Sequence, residues 1–338
     1  MQGTPLAATS KINRMTRQIT LATLTPGFLL AFDSNHAAAQ AYPSKPVRVV
    51  TMAAAGALAD SVTRITFARV AEVLGQPFVV DNRPGAGGNI SAALVGKSPP
   101  DGHTLYLTIQ TVMVVNPFLY ARPGFDPLRD FEPISMAAKV SEVLVVHPSL
   151  GVKSIADLVR LAQARPGQIG YSSAGNGHPT HLMMELFQRK AGIQLSHVPY
   201  KGTPQAVLAV AGGEVGALNI GIGLARPHIA SGKLVALAKT GYPSPDALPG
   251  VPALTTAYPD AEYIPWTATF APKGTPGDVV AKLNSAISRA LTAADIASKL
   301  KELDLTAAPS SPGELEKTMR ADIAVNRELV KSIGLKLD

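Results

Sequence analysis

Past residue 41 the chain alternates two hydrophobic patterns. Short, nearly continuous apolar runs read as buried strands, and stretches with apolar residues every three or four positions read as amphipathic helices. Strands are expected at "VRVVTM" (47–52), "FVVDN" (78–82) and "HTLYLTI" (103–109), with helices over 60–74 and 89–97 between them. The pattern then repeats. Strands at 141–148, at "QIGYSSA", at "LSHVPYKG", at "EVGALNI" and at 234–240 alternate with helices over 154–164, 179–190, 203–211 and 224–231, and Ser154 can cap the first of these. One strand, "IPWTATFAP" (264–272), precedes three helices over 276–292, 294–303 and 312–332.

Strand and helix in alternation predict an α/β chain whose sheets are mainly parallel and flanked by helices. A helix-rich tail with one strand cannot form a parallel sheet alone, so it should return to the first sheet. The expectation is two lobes, 42–140 with 263–338 and 141–262, joined by crossings near 132–141 and 260–268. In open α/β sheets ligands sit beyond the carboxyl ends of the strands, so a cleft between the lobes is the expected site.

Composition narrows the function. The chain is 46% hydrophobic and 16% charged, enough to bury a large core. Its net charge is +7, and Lys and Arg are scattered as on a solvated surface, with no nucleic-acid-binding face. There is no cysteine, which excludes disulfides, thiolate chemistry and Cys-ligated metal. Lys11, Arg14 and Arg17 precede an apolar stretch, Ile19 to Phe32, and then Ala37-Ala38-Ala39-Gln40-Ala41. That order is a secretory signal with cleavage after Ala39 or Ala41, and it predicts export.

Four loops at strand ends are small, Gly- or Ala-rich, or rich in hydroxyl and amide groups: 53–60, 108–113, 172–181 and 219–227. Three lead into expected helices, whose N-termini favour an anion. Each could be an ordinary α/β turn; four around one cleft point to binding.

Catalytic readings are weaker. Gly170-Tyr171-Ser172-Ser173-Ala174 comes within one residue of a hydrolase nucleophile elbow. An acid and a histidine such as Asp246 and His228 follow, but nothing brings them to Ser172. His181 and Glu185 share a helix face but lack a third metal ligand. "RPGAGGNI" (83–90) departs from a dinucleotide fingerprint at Ile90 and follows the second strand rather than the first. No catalytic residue, metal or cofactor is expected.

The ordered segments "YPSKPVRVV", "AAGALAD", "GQPFVVDNRPGAGGNI", "PPDGHTLYL", "DPLRDFEPIS", "YSSAGNGHPTHL", "HVPYKG" and "APKGTP" resemble the Bug-type receptors, the periplasmic substrate-binding proteins of tripartite tricarboxylate transporters. The resemblance implies a two-lobe Venus-flytrap fold and a small carboxylate held largely by loop N–H groups. It further implies a monomer that delivers the ligand to membrane permease subunits without catalysis. By position it assigns ligand contacts to Ala54, Ala55, Gly56 and Asp60, to Thr108 and Thr111, and to Ser172, Asn176, Gly177, Thr180 and His181. Three departures stand out. Ala57 replaces a usual glycine, Gln110 is bulkier than the usual small residue, and Asn219-Ile220-Gly221 replaces a Phe-Asp-Asn segment. The last removes an acid that could bind a ligand amine or hydroxyl. Ile220 and Gly221 are therefore expected to turn specificity toward carboxylates with a less polar far end, aromatic acids included. A solute sensor using the same cleft is the alternative role.

Overall fold

The computed structural model describes residues 42–242, 247–261 and 263–337. The signal expected over 1–41 and the hydrolase candidate Asp246 lie outside the described residues.

The first three strands follow the apolar runs. β1 (Val47–Thr51) lies between β2 (Phe78–Asn82) and β3 (Thr104–Ile109), all parallel, with crossovers made by α1 (Leu58–Leu74) and α2 (Asn89–Gly96). Beyond β3 the expected loop over 108–113 is shorter than its sequence suggests, because α3 (Gln110–Val114) starts at once, followed by the single turn α4 (Asn116–Leu119).

The largest departure is β4 (Phe131–Val146), a strand of 16 residues that begins ten residues before the apolar run at 141. Pro133 and Glu132 read as strand breakers, yet the structure places a bulge there, between Pro133 and Ser135. A proline missing its N–H is tolerated at such a bulge. The first crossing between the two halves of the sheet is thus this strand itself. Up to Lys139 it pairs antiparallel with β9 (Trp266–Pro272), and from Glu142 onward with β7 (Ala217–Gly221).

In the second half β5 (Gly170–Ser173) pairs in parallel with β6 (Ser196–Pro199) and β7, and β8 (Val235–Gly241) lies antiparallel on β4. Helices α5 (Ile155–Ala164), α6 (Pro179–Ala191), α7 (Thr203–Ala211) and α8 (Ile222–Ala230) flank it, and Ser154 caps α5 by accepting from the Asp157 N–H. The tail returns to the first half as expected, through β9 and through β10 (Leu305–Ala307), a short strand that the apolar pattern did not reveal. Each half keeps a parallel core, and the returning strands add antiparallel edges. The tail helices are α9 (Gly277–Thr292), α10 (Ala294–Glu302) and α11 (Pro312–Ile333), the last opened by a Ser311–Glu314 capping box.

Alternation along β4 divides the core. Val143 and Val145 pack with α7 and α8 residues such as Val207, Val210 and Ile222, whereas Leu144 and Val146 join the opposite layer with Phe187 and Leu182 of α6. Among the described residues no helix is long and apolar enough to cross a membrane. Leu144→Ala should destabilise the chain by about 2–5 kcal/mol in denaturant unfolding, because a fully buried side chain leaves a cavity between two layers.

Candidate functional site

The strand ends of both halves open onto one cavity of about 800 Å³, within the usual range for small-molecule sites. Its floor is apolar and aromatic, with Ile109, Ile220 and the chain's single tryptophan, Trp266, and Leu58, Leu224 and Leu303 nearer the solvent. The charged lining residues are Glu142, Glu302 and Asp304; none of the lining residues is Lys or Arg.

The donors come from helix ends. The first N–H groups of a helix have no acceptor within it. The N-cap of α1 is Ala57 and that of α8 is Gly221, and neither provides a side-chain cap. Leu58 and Ala59 of α1, and Gly223 and Leu224 of α8, line the cavity. The two ends come from opposite halves of the sheet. Thr203 at the start of α7, also without a side-chain cap, joins them.

Of the first loop, Ala54, Gly56 and Ala57 line the cavity, whereas Ala55 does not. Asp60 is buried behind the loop, where it accepts from the Gly56 N–H at 2.9 Å, from Arg64 at 3.0 Å and from Asn82 at 2.8 Å. Burial pushes its pKa up, but the hydrogen bonds from Arg64, Asn82 and Gly56 outweigh this and hold it at about 2. Asp60 therefore shapes the turn, in which Gly56 adopts φ +81, a conformation that disfavours side chains.

Of the second loop, Ile109 and Gln110 reach the cavity. Thr108 and Thr111 are buried beside it. The Gln110 amide N–H donates to Asp322 at 2.7 Å, and the Trp266 indole N–H donates to the same oxygen at 2.8 Å. Helix α11 brings this carboxylate under the floor, where burial pushes its pKa up against those two hydrogen bonds.

The third loop is largely occupied with itself. Ser172 is fully buried and donates to the Ala206 carbonyl at 2.9 Å. Asn176 is exposed outside the cavity, and the buried Gly177 donates its N–H to His181 Nδ1 at 3.1 Å. His181 stacks on His197 with ring centroids 3.9 Å apart, and Ser173 pairs with His197 at 2.6 Å. Burial depresses the pKa of His181 to about 3 and that of His197 to about 4, so both rings are neutral at pH 7. Among these residues only Thr180 lines the cavity, with His178 and Pro179. The Thr180 N–H is already taken by His178, which caps α6.

In the fourth loop Ile220 and Gly221 both line the cavity. The expectation that no acid stands here is corrected by β4. Glu142 lies directly across the ladder from Gly221 and faces the cavity. It is 4% exposed, and burial pushes its pKa up to about 7 against a 2.6 Å hydrogen bond from Asn219. The sequence signal for Glu142 was a lone charge in an otherwise apolar strand. At the rim, Arg226 of α8 pairs with Asp304 at 2.8 Å, and a side chain at Gly223 would run into that carboxylate.

Among the described residues the serine–histidine pairs are Ser173 with His197 and Ser149 with His147, whereas Ser172 is bonded to the Ala206 carbonyl and has no histidine partner.

Residues 62–335 match the model of the tripartite tricarboxylate transporter family receptors, and the chain belongs to that family. It is 32% identical to Protein BugT of Bordetella pertussis over 88% of this chain and 92% of that protein. A Rhodopseudomonas palustris protein solved with adipate is 32% identical, with TM-score 0.75 over 87% of this chain and 99% of that one. MatC of Rhodopseudomonas palustris, solved with bound malate, is 29% identical, with TM-score 0.71 over 86% and 100%. The fold is that of the Bug-type periplasmic binding proteins.

Two outcomes follow from this placement. Ser172→Ala should lower stability by about 1 kcal/mol through the lost Ala206 bond, and titration calorimetry should find ligand affinity changed less than twofold. The Asp60 contribution to stability is fully present above its unfolded pKa of about 4. It is lost as pH falls through about 2. The gap in melting temperature between the wild type and Asp60→Asn should therefore narrow from pH 5 to pH 2.

Proposed function

We propose that this chain is an exported, periplasmic solute-binding protein that captures a small carboxylate between two lobes, 42–140 with 263–338 and 141–262. It hands the ligand, as a monomer, to the membrane permease subunits of a tripartite transporter and catalyses no reaction. The observation that carries this reading is the pair of helix ends, α1 and α8, that face one cavity from opposite halves of the sheet without side-chain caps. A carboxylate there would accept N–H groups otherwise left to water. Each such bond is worth roughly 1.5–3 kcal/mol net, with about 0.3–1 kcal/mol more from each helix dipole. Three or four contacts approach the ~8 kcal/mol of micromolar binding without a lysine or arginine. The adipate and malate bound by neighbours of the same family support the ligand class. Ser172, held by Ala206, supports binding rather than acyl transfer.

Small carboxylates should raise the melting temperature and shift the emission of Trp266, which lies in the cavity floor. At a hundred times Kd the stabilisation should be about 2.7 kcal/mol. A panel of mono-, di- and amino-carboxylates that leaves both signals unchanged would overturn the reading.

A further inference from the structure

The carboxylate reading explains the helix ends but not the acid that stands beside the α8 end. Glu142 is buried, lines the cavity and carries one occupied oxygen: Oε2 accepts from Asn219 Nδ2 at 2.6 Å. Its Oε1 has no hydrogen-bond partner among the described residues. Asn219 Oδ1 accepts from the Thr240 hydroxyl at 2.6 Å, and its amide N–H faces Glu142, which when ionised can only accept. Ionised Glu142 thereby presents an acceptor toward the cavity. Gly221, its partner across the ladder, has no side chain to cover it, and the space where a Cβ would stand is open.

The charged residues that line the cavity are all acids. The Tyr263 phenol feels both Glu142 and Asp322, each of which pushes its pKa up. The other charged lining residues are Glu302 and Asp304. Lys139, on the same strand, lies over the Tyr242 ring at 4.9 Å and is not among the lining residues. A second ligand carboxylate beside Glu142 would meet an acid that has no ion-pair partner among the described residues, whereas an ammonium would satisfy the free oxygen and offset its charge.

Resting on the carboxylate reading above, we propose that Glu142 determines specificity by accepting a hydrogen bond from an ammonium group of the ligand. The preferred ligand is then an amino-carboxylate rather than a dicarboxylate. This sets the chain apart from the neighbours solved with adipate and malate.

The test is titration calorimetry with length-matched pairs: gamma-aminobutyrate against succinate, delta-aminovalerate against glutarate, and epsilon-aminocaproate against adipate. For the wild type, the best amino acid should bind about tenfold or more tighter than its dicarboxylate partner, the equivalent of ~1.4 kcal/mol. Glu142→Gln keeps the shape and the Asn219 bond but turns the free acceptor into an N–H donor. It should weaken the amino acid about tenfold and leave the dicarboxylate equal or tighter. A wild type that prefers the dicarboxylate overturns the proposal and leaves the carboxylate reading standing. That measurement needs no variant. A Glu142→Gln protein that weakens both partners equally, or leaves their ratio unchanged, overturns the role of Glu142. If no member of either series binds, the carboxylate reading falls and this proposal falls with it.

Discussion

One strand holds the architecture together. A strand inside a sheet must find partners for its N–H and C=O groups on both edges. β4 does so by using different neighbours along its length, β9 and β10 before residue 141 and β7 and β8 after it. Because it never leaves the extended state, the two halves of the sheet share one backbone ladder. The ends of β1, β3, β7 and β9 all point to the region where the strand changes partners, and Glu142 sits at that change.

The polar chemistry around the cavity is unevenly committed. The loop over 172–181 has the most hydroxyl and imidazole groups, yet these are spent on other groups of the protein, within the loop and at Ala206 and His197. Tyr171 and Gln188 both donate to Glu185, which fixes the base of α6. The loops before α1 and α8, made of Ala and Gly, leave their helix ends open. Residues with little side chain therefore leave more for a ligand than residues with many donors, because small residues cannot satisfy the backbone themselves.

Much of this was legible in the sequence, and the failures have physical causes. β2 and α7 appear where periodicity placed them, because each is a short segment with one apolar face and a clear stop. The Ser154 cap was local chemistry and was readable as such. β4 was expected only from residue 141, because its first ten residues, with the bulge at Pro133, depend on a partner strand that the chain reaches only after residue 265. β10, three residues long, is a strand only because β4 offers it an edge. In the site, Ala54, Gly56, Ala57, Gln110, Thr180, Ile220 and Gly221 lie on the cavity. Ala55, Asp60, Thr108, Thr111, Ser172, Asn176, Gly177 and His181 stand beside or behind it. Residue type marks a polar loop, but which groups remain free depends on partners such as Ala206, His197 and Asn82, far off in sequence. Trp266, Leu303 and Asp304 enter from the tail and could not be placed without the return of that segment.

The rim pair also ties together three positions with no evident link in the sequence. The Asp304 carboxylate occupies the space that any side chain at 223 would need, and it is held there by Arg226. As an exposed ion pair it adds little to stability. Its larger effect is on the substitutions open to the chain. Among related receptors, a side chain at the position of Gly223 should occur together with loss of the acid at 304. The arginine at 226 should then be free to vary, so the three positions should change as a group.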